Sequence, residues 1–267
     1  MKEFMNEDKC TPHYVEWTDH KIKKYWDVYE THPALFRTLI FIPGTRKNPA
    51  LDAVVNKSCK LVSRNSKILD IGFGNGYVIK KMALQGYECF GIDISERNVN
   101  LTLKEILEDD RLNKKNITLK VGNILQLSSI FGNNLFDLII ATDIFEHLND
   151  ETIHKGFQGI SRCLKKGGYL FISTPYKEVL ERSYVLCPDC HAIFHSVGHV
   201  QSFDEKRMID MLKRHNFQVV KCTTETHRNT IRLCMAKTYD NLRRIFKIYN
   251  PETRAYTQNL YTIAQKI

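Results

Sequence analysis

Apolar positions along the chain fall into two alternating rhythms, one of short dense runs and one of helical spacing. Residues 67–95 read KILDIGFGNGYVIKKMALQGYECFGIDIS. Ile68, Leu69 and Ile71 form a short apolar run, the pattern of a strand buried on both faces. Helical spacing follows over 77–85, and a second strand over 87–92 ends at Asp93. The alternation continues. Ser95 can cap a helix reaching 108, residues 117–121 form a third strand, and FDLIIAT at 136–142 is a near-continuous apolar strand. A helix over 154–164, a Lys165-Lys166-Gly167-Gly168 turn and a strand over 169–173 come next. A capped helix over 202–216 and strands over 218–224 and 259–266 complete the series. Strands alternating with helices call for an α/β fold, a parallel sheet covered on both faces.

Residues 1–65 precede this pattern and read as a helical N-terminal cap. Spacing over 15–29 places Trp17, Ile22, Tyr25 and Trp26 on or near one face. Pro33 interrupts, 35–42 is apolar, Pro43-Gly44 turns the chain, and 48–61 is a second helical stretch. The segment either covers a ligand pocket, with both Trp residues supplying aromatic walls, or packs on the sheet edge. The remainder, 66–267, reads as one domain carrying a Cys/His insertion over 181–203 and a basic helical insertion over 229–256.

No run reaches the roughly 18 apolar residues that a membrane span needs, and the first ten residues lack an apolar signal core. A cytoplasmic location is therefore expected. Cys10, Cys59, Cys89, Cys163, Cys222 and Cys234 are scattered and read as small hydrophobes, not as disulfides. The net charge of +9 favours an anionic partner: a nucleotide-linked small molecule, a phosphorylated glycan or a nucleic acid. A solvated lysine-rich surface explains the charge equally well. Positive charge concentrates modestly at 20–24, 111–120 and 243–247, without the aromatic interleaving of a single-strand nucleic-acid groove.

The candidate chemistry begins at the turn after the first core strand. Gly72, Gly74 and Gly76 let backbone approach a ligand closely. Asp93, about twenty positions on, is placed to accept hydrogen bonds from ribose hydroxyls. The spacing is G-x-G-x-G, not the dinucleotide G-x-G-x-x-G. With Asp70 in front, D-x-G-x-G-x-G resembles motif I of the class I S-adenosylmethionine (SAM) methyltransferases. The E-H-L triplet Glu146-His147-Leu148 and the K-x-G-G turn before the fifth strand also resemble that family. The resemblance is strong over about 67–217 and weak over the first 65 residues.

The resemblance implies a Rossmann-like, seven-stranded, mostly parallel sheet with an antiparallel edge, and SAM as cofactor. It implies a cofactor site of Asp70, Gly72, Gly74, Gly76, Asp93, Ile94, Asn123, Ile124 and Asp143. Asn123 departs from the aspartate usual at the adenine-contacting position, although an amide can both donate and accept. Removal of the acceptor's proton falls to His147, whose ordinary pKa is near neutral, unless His147 is a helix-capping or core histidine. Glu146 is expected to orient His147 or to bind the donor's amino group.

The insertion contains Cys187, Cys190, His195 and His199 in C-x2-C-x4-H-x3-H spacing. Two thiolates and two imidazoles suit tetrahedral Zn²⁺, and four protein ligands would make the site structural. A redox thiol pair, a plain loop and an open catalytic zinc are the alternatives. The stretch CPDCHAIFHSVGHVQSF resembles a methyltransferase subgroup found among enzymes of cell-surface glycan biosynthesis, with His191 replacing a usual glycine. That resemblance implies methylation, at oxygen, of a small-molecule or glycan-linked acceptor in polysaccharide biosynthesis. RNA or protein as acceptor, and a non-catalytic SAM-fold subunit, are the competing readings.

Overall fold

The computed structural model describes residues 11–29, 48–228 and 256–267. In chain order these form β1 (His13–Tyr14), α1 (Asp19–Tyr29), α2 (Pro49–Ser58), β2 (Lys67–Ile71), α3 (Tyr77–Ala83), β3 (Glu88–Asp93) and α4 (Glu96–Glu108). Then come β4 (Ile117–Val121), α5 (Leu127–Phe131), β5 (Phe136–Thr142), α6 (Asp150–Cys163) and β6 (Leu164–Pro175). The last are β7 (Tyr184–Leu186), β8 (Ala192–His195), α7 (Glu205–Arg214), β9 (Phe217–Arg228) and β10 (Tyr256–Lys266). The expected apolar stretch at 35–42 and the basic segment at 229–255 lie outside the described residues.

Seven strands form one sheet in the order β4-β3-β2-β5-β6-β10-β9. The β4-to-β6 block is parallel, and β10 runs antiparallel to both β6 and β9. Alternation along each strand feeds two cores. Leu69, Ile71, Ile139, Leu170 and Ile172 pack beneath α6 and α7, while Ile68, Leu138, Ile140 and Phe171 pack with α2, α3 and α4. This double coverage explains why β5 is apolar at nearly every position: residues 138–141 are fully buried.

Several helix boundaries follow side-chain caps that the apolar pattern does not reveal. Ser95 caps α4 as expected. The helix expected from 154 starts instead at Asp150, because the Asn149 side chain accepts the Thr152 N–H at 2.8 Å. The helix expected from 202 starts at Glu205, because Asp204 accepts the Arg207 N–H at 2.8 Å.

The sheet has a topological switch between β2 and β5: the chain builds outward to β4 on one side and to β6 on the other. Ligand crevices in open α/β sheets open at the carboxyl ends of strands at such a point. The 72–76 glycine turn and Asp143 both lie there. A second, three-stranded sheet of order β1-β8-β7 stands beside it. Tyr25 on α1 donates its hydroxyl to the Ser196 carbonyl at 2.6 Å, joining the N-terminal helix to the segment after β8.

Candidate functional site

A cleft opens at the switch point. Its floor is Gly72, Gly74, Asp93 and Ile94, one side is Asn123 and Ile124, and Asp143 and His147 face them. Ile22 and Trp26 of α1 line it as well, together with Asn48, Ala50 and Leu51 at the start of α2. The three glycines do separate jobs. A Cβ on Gly72 would lie 2.0 Å from Ile144 Cδ1, and one on Gly76 would lie 2.4 Å from Thr102 Cγ2. These two keep the turn packed. Gly74, at φ +52°, has nothing within 4 Å of its missing Cβ and keeps the cleft floor open.

Asp93 is locked to that turn. Its Oδ2 accepts the Gly74 N–H at 2.8 Å, and its Oδ1 accepts the Ser95 N–H at 2.9 Å and the Asn98 amide at 3.4 Å. Burial raises its pKa against the pull of these donors. Asn123 is held too: its side-chain oxygen accepts the Leu125 N–H at 3.0 Å while Gln126 reaches back to its backbone N–H. This capping box accounts for an amide at the end of β4 and leaves the Asn123 NH₂ as the group available to a ligand.

Asp70 does not reach the cleft. It is buried in β2, its Oδ1 has no hydrogen-bond partner, and burial followed by the nearby Asp93 raises its pKa well above the ordinary value. The structure also separates the three residues expected together after β5. Asp143 (φ +54°) and His147 line the cleft, but Glu146 turns into the interior. A single three-residue 3₁₀ turn, Phe145–His147, sends neighbouring side chains in different directions. Neither Glu146 carboxylate oxygen has a hydrogen-bond partner, and burial, then Asp143, pushes its pKa well up. With no hydrogen bond to His147 and no place in the cleft lining, Glu146 takes neither of its expected roles, orienting His147 or binding the donor's amino group.

His147 meets the cleft in its neutral form. Its Nδ1 lies 3.1 Å from the Gly198 carbonyl, which can only accept, so the proton is on Nδ1 and Nε2 carries the lone pair. Burial, then the neighbouring His199, pushes its pKa down to about 3. Asp143 is open to the cleft with protein packed behind it, and loss of solvation pushes its carboxyl up to about 6. The proton acceptor nearest neutral pH is therefore Asp143, not His147.

The four expected metal ligands do not converge. His195 and His199 stack at 4.6 Å and share Glu178, which lies 3.6 Å from His195 Nε2 and accepts from His199 Nδ1. His199 also belongs to a group with Glu146 and His147 whose possible donor atoms all lie within 4.8 Å. Neither Cys187 nor Cys190 joins either group. The physical reason is β8: Cys187 sits beside its first residue and His195 is its last. His195 lies three positions beyond Ala192, the residue opposite Cys187, so the Cys187 and His195 side chains leave opposite faces of the hairpin.

A mostly parallel sheet with a glycine turn and a locked acid at its switch point defines a doubly wound α/β protein with its ligand crevice there. The chain belongs to the family described as "Methyltransferase domain", whose model matches residues 28–222. A ubiquinone biosynthesis O-methyltransferase of Pelagibacter ubique is 31% identical over 170 residues, covering 64% of this chain and 63% of that protein. A phosphoethanolamine N-methyltransferase of Plasmodium falciparum is 31% identical over 176 residues, covering 64% of this chain and 58% of that protein. The chain thus spans only about three fifths of these relatives' length. Among solved structures, the 1,6-didemethyltoxoflavin-N1-methyltransferase of Burkholderia thailandensis matches with a TM-score of 0.62 at 14% identity, covering 96% of this chain and 94% of that one. It shares the fold.

Trp26 lines the cleft, in keeping with one of the two readings of the N-terminal segment, and Ile22, placed only on the same helix face, lines it too, whereas Trp17 does not. Asn98 was missed, although it stands three residues beyond the Ser95 cap, where a side chain can turn back toward the strand end.

Proposed function

We propose that the chain transfers a methyl group from SAM to a small-molecule acceptor. The observation that carries this reading is the open floor above Gly74, bounded by the Asp93 carboxylate that the Gly74 N–H holds in place. The residues fit the cofactor: Asp93 keeps unused lone pairs for ribose hydroxyls, the Asn123 amide is free to meet a base, and Ile94 and Ile124 supply apolar faces. When bound, SAM supplies a methyl carbon already activated by its sulfonium.

The chain's own work is then to align the acceptor and remove its proton. Trp26, Ile22 and Leu148 offer an apolar seat beside His147. Asp143 takes the proton from an acceptor hydroxyl, and neutral His147, whose Nε2 can only accept, is left to hold a different N–H or O–H group of the acceptor. No Lys or Arg lines the cleft among the described residues. That favours an uncharged acceptor at this point over the anionic one expected from the net charge. A hydroxyl acceptor is in keeping with the O-methyltransferase relative, and an amine with the N-methyltransferase relative. Neither relative named above is described as acting on a surface polysaccharide.

The test is methyl-label transfer from labelled SAM into a source-cell extract separated into small molecules, glycan, protein and RNA. Label in the small-molecule pool is the expected result. Label confined to RNA or protein would overturn the acceptor reading and direct attention to the basic 229–255 segment.

A further inference from the structure

We propose, on the methyl-transfer reading, that Glu178 and His199 are positioning residues for the acceptor, acting through Gly198 to fix the tautomer and direction of the His147 ring. His147 ends the 3₁₀ turn Phe145–His147, and a turn of three residues closes few hydrogen bonds of its own. The segment after β8 holds it from outside. The Val200 and Gln201 N–H groups both donate to the Glu146 carbonyl, at 2.8 and 3.2 Å. The Gln201 side-chain amide donates to the Leu148 carbonyl. The Gly198 carbonyl accepts the His147 Nδ1–H at 3.1 Å. Residues 198–201 thus form a brace on the turn that carries His147.

The brace is itself tied down by a buried cluster. His195 is fully buried at the end of β8. Its Nδ1 accepts the N–H groups of Val197 at 3.3 Å and His199 at 3.2 Å, and its carbonyl accepts the Gly198 N–H at 2.8 Å. Gly198 takes φ +73°, a left-handed conformation that glycine adopts without strain, as the chain winds round His195. With two backbone donors on Nδ1, the His195 proton is on Nε2, which lies 3.6 Å from one Glu178 oxygen. The other Glu178 oxygen accepts from His199 Nδ1. One carboxylate therefore draws both histidines together, and their rings stack at 4.6 Å. A ring arranged like His195 has no lone pair at Nε2 for a metal ion. The cluster is built as a brace.

His199 carries the connection to the cleft. Its ring meets the His147 ring edge-on, with centroids 4.8 Å apart and planes at 70°. Trp26 of α1 also meets His147 edge-on, at 5.1 Å and 85°. Tyr25, the residue before it, donates its hydroxyl to the Ser196 carbonyl at 2.6 Å, so α1 is tied to the same segment. A neutral imidazole can hold its proton on either nitrogen. The Gly198 carbonyl removes that choice. It leaves Nε2 as an acceptor, and so selects an acceptor molecule that brings an N–H or O–H group to His147.

The test is long-range ¹H–¹⁵N NMR on the purified chain labelled with ¹⁵N-histidine, with the His147 signals assigned by their loss in His147→Gln. A single Nδ1–H form of His147 is expected in the unmodified chain. Glu178→Ala and His199→Ala, each checked for folding by circular dichroism, should replace it with a mixture that includes the Nε2–H form. Glu178→Gln keeps an oxygen for the His199 N–H and should restore the single form. All three variants should keep the affinity of the unmodified chain for S-adenosylhomocysteine, measured by calorimetry, because neither residue lines the cleft. An Nε2–H form of His147 in the unmodified chain would overturn the proposal, and that measurement needs no variant to fold. A single Nδ1–H form persisting in both folded alanine variants would overturn it too. Failure of the unmodified chain to bind S-adenosylhomocysteine would overturn methyl transfer instead, and the tautomer signals would still decide whether the brace fixes His147.

Discussion

Asp143 and Glu146 are two acids three residues apart with opposite surroundings. Asp143 meets the cleft, and loss of solvation pushes its carboxyl up to about 6. Asp143→Asn should lower kcat about 10²-fold or more with modest change in SAM affinity. In the unmodified enzyme, the rate should rise with pH through about 6 and level off above, as the base becomes ionised. A pH–rate profile without that limb would remove Asp143 from the role. Glu146 binds its proton more tightly folded than unfolded, so its contribution to stability is full below 4.5 and is lost as pH rises through its raised value. Glu146→Gln should therefore be more stable than the parent at high pH and lose that advantage at low pH. Urea midpoints across pH 5–9 read this out. His147 has the opposite sign. Its folded pKa is depressed to about 3, so its contribution is present above 6.5 and is lost as pH falls toward 3. His147→Gln should flatten that acid limb of the stability profile. The family resemblance implied one site for Asp93, Ile94, Asn123 and Ile124, and all four line the same cleft. The sequence could not separate Glu146 from Asp143, because the left-handed backbone at Asp143 and the 3₁₀ turn after it set the two directions and leave no apolar pattern.

At the scale of elements, the glycine turn carries the most legible signal and the most testable contrast. Gly74→Ala would place a methyl in open cleft at positive φ, a strain of about 1–2 kcal/mol. Its main effect should be weakened SAM binding with a small loss of thermal stability. Gly72→Ala would strike Ile144 and should mainly destabilise the fold. Calorimetric binding and thermal melts on both variants separate the two roles; equal loss of binding with no difference in melting would contradict the division. Strand and helix order was readable because each buried strand is a dense apolar run. Helix starts at Asp150 and Glu205 were not, since they were set by Asn149 and Asp204 side chains outside the apolar pattern. The Cys/His insertion was readable as a source of ligand types but not as one ligand set. Spacing along the chain says nothing about which end of β8 a residue occupies.

Across the whole molecule, the sheet order follows from a parallel α/β pattern plus a closing antiparallel edge. β10 is inserted between β6 and β9, with Leu260 and Ala264 fully buried beneath α7. No helix among the described residues is long and apolar enough to cross a membrane. Leu260→Ala should cost about 2–5 kcal/mol of stability, as deletion of a fully buried side chain does. Chemical denaturation measures it, and a loss under about 1 kcal/mol would mean that β10 is not part of the main core. The central claim concerns the cleft at the switch point. Its most direct test is calorimetric titration of SAM into the chain and into Asp93→Ala, with folding of the variant checked by circular dichroism. The account predicts one SAM per chain and a loss of at least about tenfold in affinity for the variant, the scale of one good charged hydrogen-bond pair. No binding by the unmodified chain, or unchanged affinity in folded Asp93→Ala, would contradict it.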